Sequence, residues 1–578
     1  MLTMKASDYI ASFLRAQKTK QIFEVAGGMI THILDSVYRL GGTNIISVHH
    51  EQAAAFAAEA YGRCTGRPGV AMATSGPGAT NLLTGMASCY FDSSPALFIT
   101  GQVNTHEQKG ARAVRQLGFQ ETDIVSMAKP ITKKCFKVES ADQIEAILHE
   151  AYQLSMNGRP GPVLIDIPMN AQSAKIEVEE QISYLEKKPI VTTPLSEKIA
   201  LLCNAIQSAQ RPLILAGQGI SCARASHEFI QFAEMVKMPV VTSLLGLDLI
   251  PYEHPLRIGF IGSYGNRWAN IALGRADLII NIGSRLDIRQ TGADVESFSK
   301  DKLIFHIDCD EHEINNRVKR CVPIFSDAKV FLTESLQHLT HHPFIARTNW
   351  INEINEVKKE WPDTSELNMF SGINPNLFMH QLSASMKRST AYSVDVGSHQ
   401  MWAAQSLELN AKQAFITSGG MGAMGFALPA AMGYCLASEK KPVVVIVGDG
   451  ALQMNIQELQ TIVRNKLPIK IVVIHNQSLG MIRQFQDSYF EGRYQSTYWG
   501  YNAPDFVAVA RAYGIAAKNI ILTEEIDAAL HWLASEDETP MLLQVMISPE
   551  MKVYPKIAFG RPITEMEPFV KPIAMEST

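Results

Sequence analysis

The chain has 578 residues, 46% hydrophobic and 19% charged, which suits a globular protein of several domains and is too apolar for disorder. Lys plus Arg number 52 against 57 Asp plus Glu, for a formal net charge of −5, and no long basic run occurs, so no nucleic-acid partner is expected. The eight cysteines are scattered with no Cys-x-x-Cys pair, and Met1–Lys20 and the rest of the chain lack a signal-peptide core or a long apolar run. These features argue against structural zinc, disulfides and a membrane span, and point to the cytoplasm.

In chain order, short β-branched runs alternate with helical patterns. They are Val70–Thr74, Ala96–Thr100 and Val163–Ile167, then Pro212–Ala216, Leu278–Ile282 and Leu303–Ile307, and finally Val443–Val447 and Ile469–Ile474. Near-continuous apolar strands between amphipathic stretches predict an α/β protein with parallel sheets covered on both faces. Two polar stretches read as linkers: Lys175–Lys198, with Pro189 and Pro194, and His338–Asp363, which ends in a charged helical segment before Trp361-Pro362. They predict three doubly wound domains over 1–175, 190–340 and 365–548, followed by a tail over 549–578 that wraps over a neighbour.

Three segments carry chemistry. Ile45–Val48 reads as a strand, and His49-His50-Glu51 after it opens a helix; alone, Glu51 is a favourable charge at a helix start. Gly420–Gly425 fits Gly-x-Gly-x-x-Gly after a strand at Ala414–Thr417, but the match is weak and Pro429 is expected to interrupt the helix start. Most informative is Val443–Gly480: a strand, then Gly448-Asp449-Gly450, a helix predicted over Leu452–Arg464, a second strand and Asn476 just past it. A right-handed βαβ crossover brings Asp449 and Asn476 to the same carboxyl edge, where such sheets bind ligands. Alone, Gly-Asp-Gly is equally a capped turn. With Asn476 at the matching strand end, the oxygens suit Mg²⁺ on a diphosphate.

Residues 448–484 resemble the thiamine-diphosphate (ThDP) fingerprint of acetolactate synthase catalytic subunits, with His475 in place of the usual first Asn. The resemblance implies that Asp449, Asn476 and the carbonyl of Ser478 hold Mg²⁺, and that Gly448, Gly450, Ala451, Leu479, Gly480 and Met481 surround the diphosphate side. His49–Gly69 is similar to the family segment that supplies the catalytic glutamate, which implies that Glu51 contacts the aminopyrimidine N1′. Residues 73–103 resemble the pyrimidine-side segment, with Pro77 and Asn81, and Gly27 belongs to the same side. Residues 417–433 resemble the segment whose large apolar residue, here Met424, bends the cofactor while backbone near Gly422 meets the amino group. Gly397, Ser398, His399 and Gln400 match the diphosphate-side loop, with Ser398 replacing the family's Gln. The family's site is built from two subunits, which implies a homodimer, or a tetramer of such dimers.

Residues 200–340 resemble the family's Rossmann-like FAD domain, implying contacts from Arg159, Gly217, Gly219, Leu244, Gly265, Arg285, Arg289 and Asp308 to a flavin with no net redox role. A domain that has lost FAD is the alternative. The acceptor pocket departs most from the pattern. Glu24–Gly28 replaces Gly-Tyr-Pro-Gly-Gly, Met169 replaces a Lys, and Phe485 replaces a Trp, while Phe119, Gln120 and Arg289 remain. The tail from Val553 resembles synthase-like enzymes of cell-surface carbohydrate pathways. The function implied is decarboxylation of pyruvate and transfer of its two-carbon unit to a ketone, with pyruvate as acceptor giving 2-acetolactate. The alternatives are a nucleotide-linked keto sugar as acceptor, a nonoxidative decarboxylase or C–C hydrolase, and a non-catalytic binding protein.

Overall fold

The computed structural model describes residues 2–188 and 194–573. Pro189, within the first expected linker, lies outside the described residues. Three six-stranded sheets, parallel throughout, follow one another along the chain, with strands spanning Gln21–Pro168, Pro212–Phe325 and Ala391–Met546. Numbered within each sheet by chain order, the first and third share the spatial order 2-1-3-4-6-5, and the middle one is 3-2-1-4-5-6. The latter is the dinucleotide-binding order, whose ligand crevice lies where the winding reverses. Central strands such as Gly69–Ala73 and Val443–Gly448 are buried at every residue, which is why they read as unbroken apolar runs.

The first and third sheets share one apolar core through two helices. Glu51–Thr65 is Ala-rich and packs closely on Ala427–Ala437, where a Cβ on Gly433 would lie 1.9 Å from the Ala57 carbonyl oxygen. Only glycine permits that approach. A buried ion cluster seals the contact. Arg63 donates to Asp92 at 2.8 Å, to Glu59, and to the Thr417 carbonyl at 2.9 Å, while Asp92 accepts from Gly419 N and Gly420 N.

Three local expectations are corrected. The helix expected over Leu452–Arg464 is two pieces, Asp449–Leu452 and Glu458–Arg464, because Asn455 turns its side chain to the Gly425 carbonyl at 2.7 Å across the interruption. Pro429 does not interrupt a helix start: it sits in the first turn of Ala427–Ala437, where its missing N–H has no helical partner to lose. The first linker is not wholly irregular, since Lys175–Val178 pairs antiparallel with Leu2–Lys5. The tail forms a short hairpin, Lys556–Ile557 with Met566–Glu567, that is docked by Ile557 N donating to the Ser263 carbonyl at 2.8 Å. No helix among the described residues is long and apolar enough to cross a membrane.

Candidate functional site

At the carboxyl edge of the third sheet lies a cavity of about 610 Å³. Its lining includes Gly397, Ser398, His399, Gln400, Gly422, Met424, Gly448, Asp449, Gly450, Ala451, Asn476, Ser478, Leu479, Gly480 and Met481, so every residue expected on the diphosphate side reaches one space. Asp449 starts a helix directly after its strand. Its Oδ1 accepts from Gly450 N at 2.8 Å and Tyr501 Oη at 3.2 Å, whereas the buried Oδ2 has no hydrogen-bond partner among the described residues. Burial raises the Asp449 carboxyl above its ordinary range, with His475 opposing the shift. An orphaned buried carboxylate oxygen is costly unless something positive meets it. No group of three His, Cys, Asp or Glu side chains suited to a metal occurs among the described residues, so a cation here would draw on amide, carbonyl and phosphate oxygens. That donor set fits Mg²⁺.

The glycines around Asp449 are sterically required. A Cβ at Gly448 would lie 2.8 Å from His399 Nδ1, and one at Gly450 would lie 2.6 Å from Leu479 Cδ2. His399 is buried and its pKa is pushed down to about 3, so the ring is neutral at physiological pH, and its Nε2 has no hydrogen-bond partner among the described residues. Ser398 Oγ is likewise buried and unpartnered among the described residues. One positioning residue escaped the sequence reading. Asp395, buried and raised to about 6, accepts from Val396 N, Gly425 N and Ala427 N, and so sets the loop that carries Gly422 and Met424. An Asp two residues before Gly397 was its only signal.

The residues expected on the pyrimidine side lie apart from this cavity. Glu51 is at the first position of its helix, where the His50 ring caps Gln52 N, and its Oε2 accepts from Asn81 Nδ2 at 2.8 Å. Pro77 begins the short helix that ends at Asn81. A Cβ on Gly78 would lie 3.2 Å from Glu51 Oε1, so the chain passes close to the carboxyl group there, and one on Gly27 would lie 2.5 Å from Thr74 Cβ. Gln120, at φ +65°, folds over the turn at Gly76, and Phe119 is 80% exposed. None of Gly27, Glu51, Pro77, Asn81, Phe119 and Gln120 lines the Asp449 cavity of the same chain. Phe485 and Arg289 do line it, at its outer end with Ile288, Tyr489 and the tail residues Lys556–Phe559.

A second cavity opens at the winding reversal of the middle sheet. Arg159, Gly219, Leu244, Arg285, Arg289 and Asp308 line it. Gly217 and Gly265 are not among its lining residues, and both are packed closely against backbone. A Cβ on Gly217 would lie 2.2 Å from the Gly283 carbonyl oxygen, and one on Gly265 2.7 Å from Gly262 N. Arg159 crosses from the first sheet's domain to pair with Asp310 at 3.1 Å and Glu313 at 2.7 Å. Asp308 ends its strand in this cavity and accepts from Asp310 N, and burial raises it to about 6. A carboxylate at that strand end suits ribose hydroxyls, so the residues fit an adenine dinucleotide.

Comparison with known proteins agrees with this geometry. Residues 4–127 match the thiamine pyrophosphate enzyme N-terminal TPP binding domain, 199–335 the central domain and 395–545 the C-terminal TPP binding domain. The chain is 36% identical to the probable acetolactate synthase large subunit of Methanocaldococcus jannaschii, over 99% of this chain and 96% of that one. It is also 36% identical to the acetolactate synthase isozyme 2 large subunit of Escherichia coli K12, over 97% and 99%, and to the large subunit from Lactococcus lactis, over 97% and 95%. This chain, with its two TPP-binding sheets around a Rossmann-ordered centre, belongs to the thiamine pyrophosphate enzyme family and, within it, to the group of acetolactate synthase large subunits.

Proposed function

We propose that the protein is an acetolactate synthase-like carboligase, using thiamine diphosphate, Mg²⁺ and FAD in a non-redox role, that decarboxylates pyruvate and joins the two-carbon unit to a ketone acceptor. The observation that carries the reading is the unpartnered Asp449 Oδ2, sharing one cavity with Asn476 and Ser478. Thiamine diphosphate, when bound, supplies the carbon nucleophile and the electron sink that decarboxylation of a 2-oxo acid requires. Asp449, Asn476 and the Ser478 carbonyl would hold Mg²⁺ against its diphosphate. Neutral His399 adds no positive charge beside the metal. Met424, on the loop set by Asp395, supplies an apolar wall that excludes water.

Glu51 is the catalytic residue in this reading. Its carboxyl group, 9% exposed and fixed by Asn81, would face the cofactor's ring nitrogen and exchange a proton with it. Because Glu51 does not line its own chain's Asp449 cavity, the reading needs a second copy to place one half-site against the other. A homodimer is the minimum assembly. FAD would lie along Arg159, Gly219, Leu244, Arg285, Arg289 and Asp308, where Arg159 and Asp308 provide charge and ribose contacts. Eight free cysteines support a reducing compartment, the cytoplasm.

Pyruvate is the first-choice acceptor, giving 2-acetolactate. A nucleotide-linked keto sugar is the second reading, favoured by the open outer end, where Phe485 is 36% and Ile288 53% exposed. The deciding experiment incubates the purified chain with pyruvate, thiamine diphosphate, Mg²⁺ and candidate ketones, and identifies products by mass spectrometry. CO₂ release with a carboligation product is expected. Acetaldehyde as the sole organic product would replace the reading with a nonoxidative decarboxylase.

A further inference from the structure

The loop over residues 493–503 follows the helix Gly480–Tyr489 and contributes no residue to the lining of the Asp449 cavity, yet it bonds to the cavity's inner end from behind. Tyr501, half-buried near the end of this loop, donates its hydroxyl to Asp449 Oδ1 at 3.2 Å. The same hydroxyl lies against Gly450, where a Cβ would come within 3.2 Å of it. Gly450 N donates to Oδ1 as well, at 2.8 Å, so one carboxylate oxygen carries two donors while Oδ2 has none among the described residues. The last torsion of an aspartate is soft and roughly two-fold, so a carboxylate without such bonds would turn freely. Two donors on one oxygen remove that freedom.

The loop also grips the strand end that carries Asn476 and Ser478. The Thr497 carbonyl accepts from Ser478 Oγ and from Leu479 N, both at 2.9 Å. Gln477, between the two expected ligands, sits at φ +52°, and its Oε1 accepts from Ala503 N at 3.1 Å. A glutamine in the left-handed region persists only where its surroundings hold it there. The loop is anchored in turn on the helix before it: the Arg483 guanidinium lies 4.5 Å from the centre of the Tyr494 ring and 4.4 Å from that of Tyr498, and donates to the Pro549 carbonyl at 2.7 Å. Because Tyr501, Thr497 and Ala503 lie outside the cavity lining, their influence on anything bound there passes through Asp449 and residues 477–479.

Resting on the Mg²⁺ and thiamine diphosphate reading of this cavity, we propose that Tyr501 is a positioning residue for the divalent cation: its hydroxyl orients the Asp449 carboxylate, and the loop that carries it aligns Asn476 and Ser478. Hydrogen bonds to a metal-ligating carboxylate set how tightly the metal is held. The effect of the hydroxyl is therefore on cation affinity, and turnover lost at low metal is regained at saturating metal.

The test measures metal binding directly in the full chain at a fixed, saturating concentration of thiamine diphosphate. Mn²⁺, which takes the same oxygen donors as Mg²⁺, is the probe, and bound ion is counted from the loss of the free-ion electron paramagnetic resonance signal. Tyr501→Phe, which keeps the ring and removes only the hydroxyl, is expected to raise the Mn²⁺ dissociation constant about tenfold. In an Asp449→Ala background the same change should move it by less than about twofold, because the group it acts through is gone. Trp499→Phe, at a 51% exposed position of the same loop, should leave Mn²⁺ affinity unchanged. Tyr501→Leu gives the same reading if the Phe variant does not fold. Unchanged affinity in Tyr501→Phe overturns the proposal, as does an equal loss in Trp499→Phe or a full additive loss in the Asp449→Ala background. Wild-type protein that binds no Mn²⁺ in the presence of thiamine diphosphate overturns the metal reading itself, and this inference with it.

Discussion

Replacing Arg63 by Met tests whether the buried ion cluster joins the first and third sheets and holds the loop that begins the Gly422–Met424 segment. In the native fold the Arg63 side chain is 13% exposed, while the Glu59 and Asp92 side chains it neutralises are fully buried. Methionine fills the volume of the stem and leaves two carboxylates without a counter-charge. Removing one member of a buried ion cluster costs about 3–5 kcal/mol. For domains of this size that loss lowers the melting temperature by about 10 °C. The pH dependence gives the stronger test. Burial already raises Glu59 above its ordinary value of 4.5, and Arg63 opposes that shift. Without Arg63 the folded carboxyl rises further and keeps a proton that the unfolded chain releases. A carboxyl group raised in this way contributes stability only below its unfolded pKa and loses it as pH climbs toward the folded one. The variant's deficit should therefore be smaller at about pH 5 than at about pH 8. Thermal unfolding followed by circular dichroism at both pH values reads it, and Glu59→Gln added to Arg63→Met should recover part of the loss. An Arg63→Met protein melting within about 2 °C of wild type at both pH values would refute the reasoning.

Other expectations concern the site. Glu51→Gln should lower CO₂ release from pyruvate by about 10²-fold or more while thiamine diphosphate binding, read by tryptophan quenching, changes little. Asp449→Ala should raise the half-saturating concentration of Mg²⁺ by at least about tenfold, in an assay titrating the metal at fixed thiamine diphosphate. Asp308, raised to about 6, would hold ribose hydroxyls of the proposed FAD best when ionised, so flavin retained after gel filtration should fall as pH drops below that value, and Asp308→Asn should flatten the dependence. Equilibrium sedimentation should find dimers or larger assemblies. A stable monomer with full activity would contradict the two-copy site.

The strands were legible because both of their faces are buried: Val443–Gly448 and Ile469–His475 show as apolar runs whichever way they point. The same runs, with Gly448, Asp449 and Asn476 at their ends, placed those residues together, since local chain order and crossover handedness decide which edge they share. Family resemblance carried Glu51 and Asn81, and the structure adds the hydrogen bond that fixes them. Tertiary structure alone decided the rest. Asp395 positions the Met424 loop through backbone amides thirty or more residues away, and such bonds leave no local pattern. The close backbone packing around Gly217 and Gly265, which leaves no room for a Cβ, is likewise visible only in the folded chain.

Length and composition determined a large globular chain, and the alternation of apolar runs with helical patterns along it determined the α/β class, because local periodicity reports which faces are buried. Only the folded chain decided that Glu51 lies outside the Asp449 cavity of the same copy and that the hairpin over Lys556–Glu567 contributes to the wall of that cavity. Those are long-range facts. Contacts between residues hundreds of positions apart are selected by the packing of whole sheets, and no short window of sequence contains them.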